Sequence, residues 1–110
     1  MPFDGTEFRR QRPEIDVPVI QVLLRGRGNI EQGWCQGTAR TREGVCLIAS
    51  LHGAPNYETY VEAHKLLLRA IGETGFARGG ILEFNDAPGR TKDEVLAVCD
   101  RALELAFVAA

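Results

Sequence analysis

Residues 55–75 read PNYETYVEAHKLLLRAIGETG, and the reading of this stretch decides the fold class. Tyr57, Tyr60, Val61, His64, Leu67, Leu68 and Ile71 recur at helical spacing, which gathers them on one side of an α-helix; a strand would scatter them over both faces. Asn56 or Thr59 offers an acceptor to the amides of the first turn, and Gly72 with Gly75 closes the run. The spacing therefore predicts a helix over 57–73 with that stripe buried. His64, lying on the stripe, reads as a hydrogen-bonded core histidine.

Toward the C-terminus, FARGGILEFND gives a single turn or a short extended piece, and EFNDAPGRT at 83–91 then forms a corner. Asn85 and Asp86 carry short acceptor side chains that bond nearby amides, and Pro88-Gly89 is the pair a type II turn favours. Arg90 stands where its guanidinium reaches Asp86 or a loop carbonyl. Thr91 and Glu94 have the T-x-x-E spacing of a capping box, so a last helix starts at Thr91 and runs to 107. Its buried face is Val95, Val98, Cys99, Ala102, Leu103 and Ala106.

Toward the N-terminus, VCLIASLHGA places Cys46, Ala49 and Ser50 three and four residues apart, with Gly53 as a stop. A short helix over 44–53 is predicted, with a strand in GVCLIAS as the alternative, because periodicity does not separate a short buried helix from a buried strand. Ahead of it, GWCQGTARTREG has too many glycines for a helix and reads as a connector. Asp16 is placed to cap a helix carrying Pro18 in its first turn, and Ile20, Leu23, Leu24 and Ile30 give that helix its period over 16–32. Residues 1–15 are polar, hold two prolines and show no apolar period, so they read as a flexible tail.

Together these segments predict a mainly α, single-domain bundle of about four helices, at 16–32, 44–53, 57–73 and 91–107, with long connectors at 33–43 and 74–90. The tail occupies 1–15 and the helical domain 16–110. The alternative is an α+β fold with a short strand or hairpin in 44–50 or 81–84. A chain of 110 residues with 45% hydrophobic and 25% charged side chains is an ordinary globular composition that supports one core. The formal net charge of −2 excludes a global basic field, and no run reaches the ~20 apolar residues of a bilayer span. The odd set Cys35, Cys46 and Cys99 fits reduced thiols, so a cytoplasmic protein is expected.

Candidate chemistry concentrates in the connectors. Cys35 and His52, ahead of Asn85 or Asp86, have the types of a thiol nucleophile, a base and an orienting group, but Cys35 has no evident helix N-terminus beside it to activate the thiol. The same His52 serves equally as a cation at a helix end. A zinc set of Cys35, Cys46, His52 and His64 matches no standard ligand spacing, so no metal and no cofactor are expected. RGRGN and ARGG lack the lysine and hydroxyl of a phosphate loop. Arg9, Arg10 and Arg12, like Arg25 and Arg27, lack interleaved aromatics and read as solvated charges, which makes nucleic acid an unlikely partner.

Gly33-Trp34-x-Gln36-Gly37, Gly44-x-Cys46, Phe84-Asn85-Asp86, Arg90-Thr91 and Val95 through Asp100-x-Ala102 occur in an order that resembles an uncharacterised family of small bacterial and phage helical domains. In that family an aromatic-Asn-Asp-x-x-x-Arg-Thr turn precedes the terminal helix. The resemblance spans about 20–106 and implies a compact helical domain, with no activity to carry over. Phe84 stands where the family more often has Trp, and Cys35 where it has a Thr-like residue, which weakens a catalytic reading of that thiol.

If the two connectors meet on one side of the bundle, Trp34, Gln36, Asn85, Asp86 and Arg90 form one polar-aromatic surface. The expected function is a non-catalytic binding or regulatory module acting through protein contacts, including self-association, at that surface or at the Arg-rich tail. A small Cys-dependent hydrolase or transferase is the alternative, and a nucleic-acid accessory protein is a third.

Overall fold

The structure, a computed structural model, describes residues 17–109. The tail over 1–15, the Asp16 cap and Arg9, Arg10 and Arg12 lie outside the described residues. The elements are α1 (Pro18–Gln32), β1 (Arg40–Thr41), β2 (Gly44–Val45), a 3-10 turn (Ala49–Leu51), α2 (Tyr57–Glu73), α3 (Ile81–Asn85) and α4 (Lys92–Ala109). The fold is thus mainly helical, with a two-strand antiparallel hairpin.

The long helices begin where local chemistry starts them. Pro18 opens α1 after an extended Val17, in a first turn whose amides have no intrahelical acceptor. The Asn56 side chain accepts from the Thr59 amide at 2.8 Å and starts α2. At α4 the Glu94 amide donates to Thr91 Oγ1 at 3.2 Å, and the Thr91 amide donates to the Glu94 carboxylate at 2.9 Å, completing the capping box. That amide, followed by the Thr91 hydroxyl and Arg90, holds the Glu94 carboxyl below its ordinary range.

Helix α4 is the central element and runs opposite to α1. Lys92 donates to the Glu31 carbonyl at its start, and further along Asp100 pairs with Arg27. On its other side Arg101 pairs with Glu73 near the end of α2. Val95, Val98, Ala102 and Leu103 of α4 pack with Ile20, Leu23 and Ile30 of α1 and with Leu67 and Ile71 of α2. Phe84 and Ile81 from α3, Leu47, and Leu51 of the 3-10 turn close the same core.

Two expectations are corrected. No helix spans 44–53: the backbone there is captured by the preceding connector before it can coil. The Val45 amide donates to the Gly33 carbonyl at 3.0 Å, the Cys35 amide to Val45 at 3.1 Å and the Cys46 amide to Ala39 at 2.9 Å. Gly44 makes this possible, because at φ +150° it lies back to back with Gly33, where a β-carbon would overlap the Gly33 carbonyl. Only the 3-10 turn survives of the expected helix, while the hairpin alternative in 44–50 is found at Gly44–Val45. The fourth helix lies instead at Ile81–Asn85, where a strand had been the alternative; the Glu83 carboxylate accepts from the Gly80 amide at 2.6 Å and fixes its first turn.

The second correction concerns the stripe on α2. Tyr57 is 79% and Leu68 37% exposed, and the fully buried positions are Thr59, Ala63, Leu67, Ala70 and Ile71. The helix is rotated from the expected setting because small Ala63 and Ala70 let it approach its neighbours closely. His64 is half-buried beside the Tyr60 ring, whose centroid is 6.1 Å away.

Candidate functional site

Asn85, the last residue of α3, is fully buried, and its amide joins the two connectors. Its Oδ1 accepts from the Trp34 indole N–H at 2.7 Å and from the Leu47 amide at 3.0 Å. Its Nδ2 donates to the Cys35 carbonyl at 3.1 Å and to Asp86 Oδ1 at 2.9 Å. Both lone-pair directions and both protons of the side chain are therefore used, the full complement an amide can make. A buried polar group costs little when so satisfied and much when any partner is removed.

The neighbours repeat the theme from the other side. Gln36 Nε2 donates to the Asn85 and Ala87 carbonyls at 3.0 and 3.1 Å, and the Gly37 amide donates to Asp86 Oδ1 at 2.9 Å. The 85–91 corner closes as expected: the Arg90 amide donates to Ala87 at 3.0 Å across Pro88-Gly89, with Gly89 at φ +78°, the position only glycine adopts easily in a type II turn.

Arg90 lies over the ring of Phe84 at 3.7 Å and donates through Nε to the Phe84 carbonyl at 2.8 Å. Phe76 meets Phe84 edge to face at 5.5 Å, and Arg90 pairs with Glu94 at 3.4 Å. The guanidinium thus caps an aromatic pair and anchors α3 to the start of α4.

Of the five residues expected at the site, Trp34, Gln36, Asn85 and Asp86 are brought together by hydrogen bonds, whereas Arg90 is turned toward Phe84, Phe76 and Glu94 and lines a separate hollow with Glu73 and Arg101. They differ in what they present to solvent. Asn85 is inside, Trp34 and Arg90 are half-buried, and Gln36 and Asp86 are exposed. A shallow depression of about 360 Å³ lies over Trp34, Cys35, Gln36, Thr41 and Glu43. The Glu43 carboxyl at its rim is held below its ordinary range by the Thr41 hydroxyl, then by its own backbone amide.

Cys35 and His52 are not joined. The buried Cys35 thiol donates to the Thr38 carbonyl at 3.4 Å, while His52 is exposed just after the 3-10 turn, and no hydrogen bond connects the two side chains. Cys46 accepts from the Ala49 amide at 3.4 Å. Burial, reinforced by Asp100, pushes the Cys99 thiol up to about 12. Arg25 and Arg27 are not simply solvated, since Arg25 donates to the Gly53 carbonyl at 3.3 Å and Arg27 pairs with Glu31 and Asp100.

Sequence reasoning missed Phe76, the Gly37 amide, and the backbone groups of Cys35 and Leu47 that answer Asn85. Only Phe76 left a trace, as a lone aromatic just past the end of α2.

Among the described residues no helix is long and apolar enough to cross a membrane, and no three His, Cys, Asp or Glu side chains gather where they would hold a metal ion. A family model described as a family of unknown function (DUF6197) matches residues 14–105. No curated protein and no solved structure matches the chain.

Proposed function

The chain belongs to the DUF6197 family, a family of unknown function, and from that premise we propose that it is a non-catalytic protein-binding module. Its recognition face is the surface where the 33–47 connector crosses the 85–91 corner. The observation that carries this reading is the buried Asn85 amide, which fixes two otherwise irregular loops against each other through three hydrogen bonds. Loops held this firmly lose little freedom on binding, which is how a preformed surface gains affinity.

Asn85 and Arg90 act from beneath, holding the loops. Gln36, Asp86 and the edge of Trp34 face the partner, with Thr41 and Glu43 across the depression. The indole supplies apolar area at low entropic cost, and the carboxylates of Glu43 and Asp86 favour a partner segment that pairs a basic with an apolar side chain. A thiol-enzyme reading gains no support from geometry, because the Cys35 proton is directed at a backbone carbonyl and no base bonds the sulfur.

The test is affinity capture from the source cell with the native chain and with Glu43→Ala and Gln36→Ala variants, the fold of each verified by circular dichroism. A partner retained by the native chain and lost from both variants supports the reading. Equal capture by all three overturns it.

A further inference from the structure

One side of α2, beginning at the exposed Tyr57 and half-buried Val61, is left open along the helix and carries an ordered pattern of charge. At one end, Val17, Leu66, Ala106 and Ala109 floor a groove of about 300 Å³ edged by Lys65 and Arg69. Toward the start of α2 it continues into a second hollow of about 270 Å³ formed by Tyr57 and Val61, edged by Glu58 and Glu62. Glu62 and Lys65 border both, so the two are one strip. Its basic end lies where Val17 lines it, and its acidic end lies beyond.

We infer that this strip is the docking site of the chain's own residues 1–16, which lead directly into Val17. Their charges run in the complementary order. Glu14 and Asp16, nearest Val17, would meet Lys65 and Arg69; Arg9, Arg10 and Arg12, farther out, would meet Glu58 and Glu62.

The apolar residues of the segment are spaced to match as well: on this docking Ile15 would meet the Leu66 floor and Phe8 would meet Tyr57 and Val61. The length fits: Tyr57 to Arg69 spans about 18 Å of helix, while an extended segment of sixteen residues reaches about 50 Å. Opposite charges in matched order set one direction of binding and disfavour the reverse. This docking is independent of the recognition face proposed above, which lies on the connectors.

The test places a thiol at Val61→Cys in the full chain and follows its maleimide labelling, the three native cysteines being buried. Deleting residues 1–13 is expected to speed labelling about tenfold, as uncovering a docked surface does. The triple variant Arg9→Glu, Arg10→Glu, Arg12→Glu, which keeps the segment's length, is expected to do the same. Adding Glu58→Lys and Glu62→Lys to that triple variant is expected to restore slow labelling, measured against the deletion carrying the same two lysines. Unchanged labelling after either the deletion or the triple variant overturns the inference. Protection that fades on dilution also overturns it, because a second copy of the chain is then the cover.

Discussion

Asn85 concentrates more structural consequence than any other single side chain among the described residues, since it is fully buried and hydrogen-bonds Trp34, Cys35 and Leu47 as well as its neighbour Asp86. Asn85→Ala leaves the Trp34 and Leu47 donors and the Cys35 carbonyl unanswered in the interior. At about 1–3 kcal/mol for each stranded group, a loss of at least about 3 kcal/mol is expected, read as a lowered midpoint in urea. Asn85→Asp is expected to be destabilised in a pH-dependent way. Its carboxyl would face Asp86 and a carbonyl while buried, so its folded pKa rises above the unfolded one; stability is then fullest in acid and lost as pH rises through the folded value. Urea midpoints of variant and native chain should therefore lie closer at pH 4 than at pH 7. Cys99 gives a second pH signature with the same sign. Its folded thiol keeps the proton to about 12, while an unfolded one releases it near about 8.5. Its contribution is intact below that lower value and falls away as pH climbs toward the upper one, so Cys99→Ala should flatten the alkaline decline of stability.

At the scale of elements, the hairpin depends on one contact that no helix or strand propensity describes. Gly44→Ala would set a β-carbon against the Gly33 carbonyl and the Trp34 amide nitrogen at a φ that L-residues avoid. The expected cost is on the order of 3 kcal/mol, combining backbone strain and overpacking, and a thermal melt followed by circular dichroism measures it. The same contact explains what the sequence did and did not disclose. Asn56, Thr91 and Glu94 announce their helices because a cap acts within three residues, so the starts of α2 and α4 were legible. The fate of 44–53 was decided by Gly33 and Ala39, outside the segment, and its local pattern pointed to a helix that tertiary pairing overrode. On α2 the period was right and the phase wrong: aromatic Tyr57 drew the stripe outward, while Ala63 and Ala70, inconspicuous by hydrophobicity, mark the closely packed side. The corner at 85–91 was legible as a turn from Pro88-Gly89, yet nothing in its residues told that Asn85 lies inside while its neighbour Asp86 faces water.

For the whole molecule, the lone tryptophan is bonded to a residue whose helix packs into the shared core, so loop and bundle are mechanically one unit. Unfolding followed by Trp34 fluorescence and by far-ultraviolet circular dichroism is expected to give coincident urea midpoints. A fluorescence transition that precedes helix loss would show that the connectors detach by themselves. The partners of Asn85 lie far back along the chain, 51 residues for Trp34 and 38 for Leu47. During biosynthesis the connector at 33–47 therefore leaves the ribosome long before the amide that organises it exists. The indole of Trp34 gains its partner, and the connector its fixed course, only after Asn85 has been synthesised, so this part of the architecture is completed late in the chain's emergence.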